Sequence, residues 1–334
     1  MKSVTFSKQT AVISILSGFV ILVGVFNSCK KDSLKDNESV TVAFQQQLSA
    51  YHIFQGAPVK MVPNPGFHLY NLATTLFADY TEKQRLIKLP AGTKLSRIDD
   101  GLPSFPDSTM IVKTFFYFND ERDTSKGKRM IETRLLVKNN GSWNTATYVW
   151  NNEQTEAYLQ QSGSNINVAW IDAAGNKMAI NYHVPNTREC QTCHNSNNEI
   201  IPIGPKLRNM NMDVTINGQT QNQLAYFQSH GILNSFDPHT VAVLPQAFNR
   251  KYSVTDQTRA YLEMNCAHCH NSTGDAKSTN LYMGFTVPFD QTDISKRKDK
   301  MVEKVTEGEM PLLGTTIVHQ EGLQLIKDYV ATLK

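Results

Sequence analysis

Two pentapeptides in the second half of the chain carry its most reactive side chains, Cys190-Gln191-Thr192-Cys193-His194 and Cys266-Ala267-His268-Cys269-His270. Each sets two thiols three positions apart and follows the second with a histidine. That spacing matches covalent attachment of a heme through its two vinyl groups, with the histidine turning back to bind the iron. The expectation is two heme c groups held by thioether bonds from Cys190, Cys193, Cys266 and Cys269, with His194 and His270 as proximal iron ligands. A thioether on the far side of the iron raises its potential and suits electron transfer, whereas an open position permits catalysis.

The distal ligand expected for the second heme is Met310 in Gly308-Glu309-Met310-Pro311, forty residues after His270 and ahead of a terminal helix. For the first heme the candidates are Met210 and Met212, after Gly204-Pro205, with His183, His230 and His239 as outsiders; the sequence does not choose among them. Other uses of the cysteines fit less well. The 72 residues between Cys193 and Cys266 far exceed the ligand spacing of zinc ribbons. A redox dithiol belongs at the start of a helix after a strand in a βαβ setting, which neither motif has. Neither use explains the repeated histidine. A diheme enzyme that reduces peroxide or another small molecule at an open first iron is the alternative to a carrier.

Several elements must deliver and position these groups. Residues 1–28 read as a lipoprotein signal peptide: Lys2 and Lys8 precede the apolar run Ala11 to Phe26, and Phe26-Asn27-Ser28-Cys29 is a relaxed lipobox. Cys29 is then the lipidated residue, and 29–50 a polar tether holding the protein at the envelope, at the periplasmic face or cell surface of the outer membrane. Without Lys2 and Lys8 the 33 basic residues fall to 31 against 30 acidic ones. A nearly neutral chain with no basic stripe lacks the footprint of a nucleic-acid binder.

The fold class expected is α+β. Residues 51–185 read as an antiparallel β-rich domain, with strands over Met110–Asn119, Arg129–Lys138, Thr145–Asn151, Asn165–Asp172 and Lys177–His183, separated by turn signals such as Asn139-Asn140-Gly141 and Ala174-Gly175-Asn176. All three tryptophans, Trp143, Trp150 and Trp170, fall here, as core or sheet-edge residues. Residues 186–250 form the first heme-binding segment and 251–334 a second, mainly α, cytochrome c-like unit. Helices are expected from Asn222 to Gly231, from about Thr255 into the second motif, and from Gly322 to Leu333.

With these motifs in place, the chain from about Pro65 onward resembles a family of exported diheme c-type cytochromes. The resemblance is carried by Leu69-Tyr70-Asn71-Leu72, Leu76-Phe77-Ala78-Asp79-Tyr80, Ile131-Glu132-Thr133-Arg134-Leu135-Leu136, Tyr148-Val149-Trp150-Asn151 and Gln154-Thr155-Glu156-Ala157. It continues through Val184-Pro185 and the first motif, Gly204-Pro205-Lys206, Asn222-Gln223-Leu224, Arg259-Ala260-Tyr261-Leu262, the second motif and Met310-Pro311. The resemblance implies heme binding and electron transfer with an unspecified redox partner protein. Phe105-Pro106-Asp107 and Val112-Lys113-Thr114-Phe115 are also reminiscent of the cytochrome P460 fold, but no third heme motif lies there.

Overall fold

Stretches rich in β-branched and aromatic residues become the central sheet. The computed structural model describes residues 42–216 and 218–333, so the expected leader, Cys29 and residues 30–41 of the expected tether lie outside the described residues. Six strands, β1 Phe67–Leu69, β2 Glu82–Lys88, β3 Met110–Phe118, β4 Lys128–Asn139, β5 Ser142–Trp150 and β6 Ala157–Leu159, pair in sequence order, each antiparallel to its neighbour. The β4–β5 hairpin closes over Asn140 and Gly141 at φ 48° and 80°. Two successive left-handed residues are what a two-residue hairpin needs to match the strand twist, and Asn-Gly supplies them at least steric cost.

β7 Ser164–Ile171 and β8 Lys177–Val184 pair with each other in a hairpin outside the six-stranded sheet, and a parallel bridge joins Ile171 to Asp120 just beyond β3. The three tryptophans are all core residues, between 4% and 8% exposed. Leu48 is also buried and Phe44 packs beside the same cluster, so the folded body begins inside the stretch expected to be tether.

The sheet separates two cores because alternate residues face opposite sides. Leu86, Val112, Leu135 and Tyr148 face Leu48, Ile53 and Met61. Ile87, Ile111 and Leu136 pack instead with Leu207, Leu224, Phe227, Ala260 and Met264 from the C-terminal half. The β-rich half and the helical half thus share one hydrophobic core, and the described residues belong to one compact unit. The helices are α1 Thr187–Cys193, α2 Leu207–Met210, α3 Gln223–Ser229, α4 Val254–Asn265, α5 Ile294–Thr306 and α6 Gln320–Thr332. α4, α5 and α6 enclose a third core built on Leu262, Ile294, Met301, Ile326 and Tyr329. Among the described residues no helix is long and apolar enough to cross a membrane.

Candidate functional site

The first motif rides on α1. Asn186 accepts from the Glu189 N–H at 2.9 Å while the Glu189 carboxylate accepts from the Asn186 N–H at 2.8 Å, a reciprocal capping box that sets where the helix begins. Seven residues later the helix ends at Cys193, with His194 as its C-cap. Cys190 is buried against the sheet, its Sγ 3.8 Å from Thr147 Oγ1 on β5. His194 is buried, and its Nδ1 lies 2.7 Å from the Ile201 carbonyl. A carbonyl can only accept, so Nδ1 carries the proton and Nε2 keeps its lone pair, the arrangement of a metal-binding imidazole oriented by its other nitrogen. Burial, reinforced by Lys113, pushes His194 down to about 3, so the ring is neutral at ordinary pH.

The second motif follows α4 directly. Ser253 caps that helix, the Cys266 N–H still bonds the Leu262 carbonyl, and the His270 N–H returns to the Cys266 carbonyl at 2.9 Å. The His270 ring has Thr279 Oγ1 3.4 Å from Nδ1, and burial lowers its pKa. Burial lifts the Cys266 thiol to about 12. Cys266, Cys269, His270 and Met310 all line one cavity of about 340 Å³, whose walls include Leu262, Leu281, Met283, Met301 and Ile326. Forty residues separate His270 from Met310 in sequence, yet both reach this apolar chamber. Two thiols, an imidazole and a thioether around a predominantly apolar space form a donor set that fits a covalently held heme.

The two motifs touch. Cys193 lies near Cys269, and their interaction raises the Cys193 thiol above its ordinary range and lowers that of Cys269. His268 also neighbours Cys193, and among the described residues its buried Nδ1 has no hydrogen-bond partner. Just beyond the motifs, Ser196 Oγ lies 2.9 Å from Thr273 Oγ1, and the Asn197 N–H donates to the Thr273 carbonyl at 3.1 Å. Cys193 accordingly lines the same cavity as the second motif.

The candidates for the first distal ligand are dispersed. Met210 is 2% exposed and packs in the shared core with Leu207, Leu224 and Phe227; Met212 is half-buried, and its carbonyl accepts from the Gln223 N–H. The His183 ring is held between Asn165 and Glu189, the His230 ring lies on Tyr226, and His239 sits in a short 3₁₀ turn. Among the described residues no three His, Cys, Asp or Glu side chains converge on a metal-ion site. An iron already held by a porphyrin asks less of the chain, one proximal and one distal donor.

Sequence reasoning missed the charge beside the first motif. Lys113 and Arg134 are the cations that most affect His194 and Cys190. Burial and then the neighbouring Arg85 and Arg134 push Lys113 down to about 7. A detectable signal was present: Lys113 interrupts the otherwise uncharged strand Met110–Phe118, where burial of one face leaves little room for a lysine. No family model, curated protein or solved structure matches this chain.

Proposed function

We propose that the chain is a diheme c-type cytochrome that passes single electrons at the bacterial cell envelope, anchored through a lipid on Cys29. The observation that carries this reading is the single chamber lined by Cys193 of the first motif together with Cys266, Cys269, His270 and Met310. Groups held by the two motifs would lie near one another, which favours passing electrons from one to the other. When bound, each heme supplies a reversible one-electron change at iron. The chain's own part is to hold it. Cys190, Cys193, Cys266 and Cys269 would tether the two macrocycles, and His194 and His270 would present imidazoles, the first oriented by the Ile201 carbonyl and the second beside Thr279 Oγ1. Met310 offers a thioether in the second chamber, whose apolar walls keep water from the iron. A redox partner protein would deliver or collect the electron.

The test is an optical titration of the mature protein made with heme-maturation machinery, read with the alkaline pyridine spectrum and the weak near-infrared band of methionine-ligated ferric heme. Two low-spin hemes per chain, with that band lost in Met310→Ala, are expected. One high-spin heme that reacts with peroxide would favour a diheme enzyme with an open first iron. A heme-free product would end the cytochrome reading. Anchoring is checked separately by labelled palmitate, whose incorporation should vanish in Cys29→Ser.

A further inference from the structure

Four side chains cross the middle of the sheet in one row. Arg85 on β2 pairs with Lys113 on β3, Lys113 with Arg134 on β4, and Arg134 with Thr147 on β5, so all four project from the same face. The row ends at the first motif, where Thr147 Oγ1 lies 3.8 Å from Cys190 Sγ. Three of its members are cations and only one has a carboxylate. Glu132, fully buried, accepts from Arg134 at 2.8 Å and 2.5 Å.

Among the described residues the other two have no carboxylate at ion-pair distance. Arg85 is 6% exposed; its side chain's one hydrogen bond there is a long 3.4 Å contact from Nη1 to the Lys83 carbonyl, and its Nε is buried without a partner. The Lys113 side chain is 9% exposed and has among the described residues neither hydrogen bond nor ion pair, only the Phe115 ring with its centroid 5.9 Å from Nζ. Buried charges are normally paired, because an isolated one costs several kcal/mol in desolvation, roughly the whole margin of a small domain. Two adjacent basic side chains without a carboxylate partner, in a row that ends at Cys190, point to an anion that arrives with whatever is attached there.

We propose that Arg85 and Lys113 bind the carboxylates of the group attached at Cys190 and Cys193, the propionates of the first heme. This rests on the cytochrome reading. It explains why two basic side chains sit in a face that is otherwise apolar at Ile87, Ile111 and Leu136, and why the row they belong to ends at the first motif. Arg134 is already neutralised by Glu132 and serves as the row's fixed neighbour.

The experiment uses the full holoprotein and the variants Arg85→Gln, Lys113→Met and the charge-preserving Lys113→Arg. Heme content comes from the alkaline pyridine spectrum, propionate hydrogen bonding from the propionate bending mode in the resonance Raman spectrum, and the two potentials from a redox titration. The expected result is two hemes in every form, a shifted bending mode in Arg85→Gln and Lys113→Met, and a lower potential at the first heme only. The fall should reach a tenfold change in the reduction equilibrium, about 59 mV for one electron, and Lys113→Arg should restore most of it. Unchanged Raman and redox behaviour in variants that keep two hemes would overturn the proposal while leaving the cytochrome reading intact. A wild type without heme would overturn both. Conversion of the first heme to high spin by Lys113→Met alone would make Lys113 an iron ligand and sink the propionate assignment. So would saturable binding of added succinate to the wild type that is lost in both uncharged variants, because the carboxylate would then be an exogenous one.

Discussion

Asp79 holds Thr316 by three hydrogen bonds: its carboxylate accepts from the Thr316 N–H at 2.8 Å and 3.0 Å and from Oγ1 at 2.8 Å. The Ile317 N–H adds a fourth at 3.3 Å. Asp79 itself sits in the left-handed region at φ 51°, so the chain tolerates an unfavourable backbone to aim this carboxylate. Thr316 follows Met310 by six residues in the same loop, and Asp79 therefore positions the loop that brings the thioether to the second chamber. Asp79→Asn should cost about 1.5–3 kcal/mol of stability, the range for hydrogen bonds to a charged group. In the holoprotein it should weaken the near-infrared methionine band and make the second heme bind cyanide more readily. Met310→Ala, which abolishes the band without disturbing Asp79, is the reference. A full-strength band and unaltered cyanide affinity in Asp79→Asn would mean that the loop is held by something else.

Glu263 joins the two motif-bearing segments. It lies on α4 three residues before Cys266 and accepts from Lys206 at 2.5 Å and Arg208 at 2.9 Å, both from the segment after the first motif. Burial alone would raise its carboxyl, but Lys206 and Arg208 outweigh it and hold the group below its ordinary value of 4.5. A depressed folded-state value contributes stability that is present above the ordinary value and lost as pH falls through the folded one. Urea midpoints should therefore decline below pH 4.5 in the wild type, and this part of the decline should be absent in Glu263→Gln. At neutral pH the variant should be less stable by about 3–5 kcal/mol, because two cations lose their buried partner. Parallel midpoint curves for both proteins across the acid range would contradict this assignment.

How much of this was legible in the sequence differs by element. β3, β4 and β5 announce themselves because their buried faces are apolar and Asn140-Gly141 marks the hairpin; α6 does so because Leu323, Ile326 and Val330 recur at helical spacing. β2 escapes notice because the face it buries at Lys83 and Arg85 is charged, so alternation of polarity carries no signal there. α5 escapes because only Ile294 and Met301 of its thirteen residues are buried, too few to define an apolar stripe among its lysines. Both pentapeptides and Met310 could be read from residue type and order. Their meeting could not: the Cys193–Cys269 contact spans 75 intervening residues, and the cation row draws one residue from each of three strands.

Glu132 is the keystone of the charged face. Tyr182 Oη donates to it at 2.5 Å, alongside the two bonds from Arg134. Glu132→Gln should destabilise the chain by about 3–5 kcal/mol, since Arg134 would join Arg85 and Lys113 as a third buried cation without an anion. Glu132→Leu combined with Arg134→Met should recover most of that loss, because removing both partners leaves no orphaned charge. Urea unfolding of Glu132→Leu, Arg134→Met and the double variant closes the cycle. Additive losses would show that Arg134 and Glu132 act independently, against the geometry.

The thiol contact makes a prediction for the protein before any heme is attached. Cys269, whose pKa is lowered by its interaction with Cys193, is the better nucleophile of the pair. Treatment of chain made without maturation machinery with diamide, which accepts the two electrons and two protons released, should join these sulfurs. Peptide mapping should then find a Cys193–Cys269 cross-link, two hydrogens lighter than its parts, exceeding links within either motif. Cys193→Ser should abolish it, and attachment of heme should block it, because a thioether sulfur has no thiol proton or thiolate to exchange. Predominant Cys190–Cys193 and Cys266–Cys269 links would instead place the two motifs apart in the heme-free chain, and the nearness of groups attached at them would lose its basis.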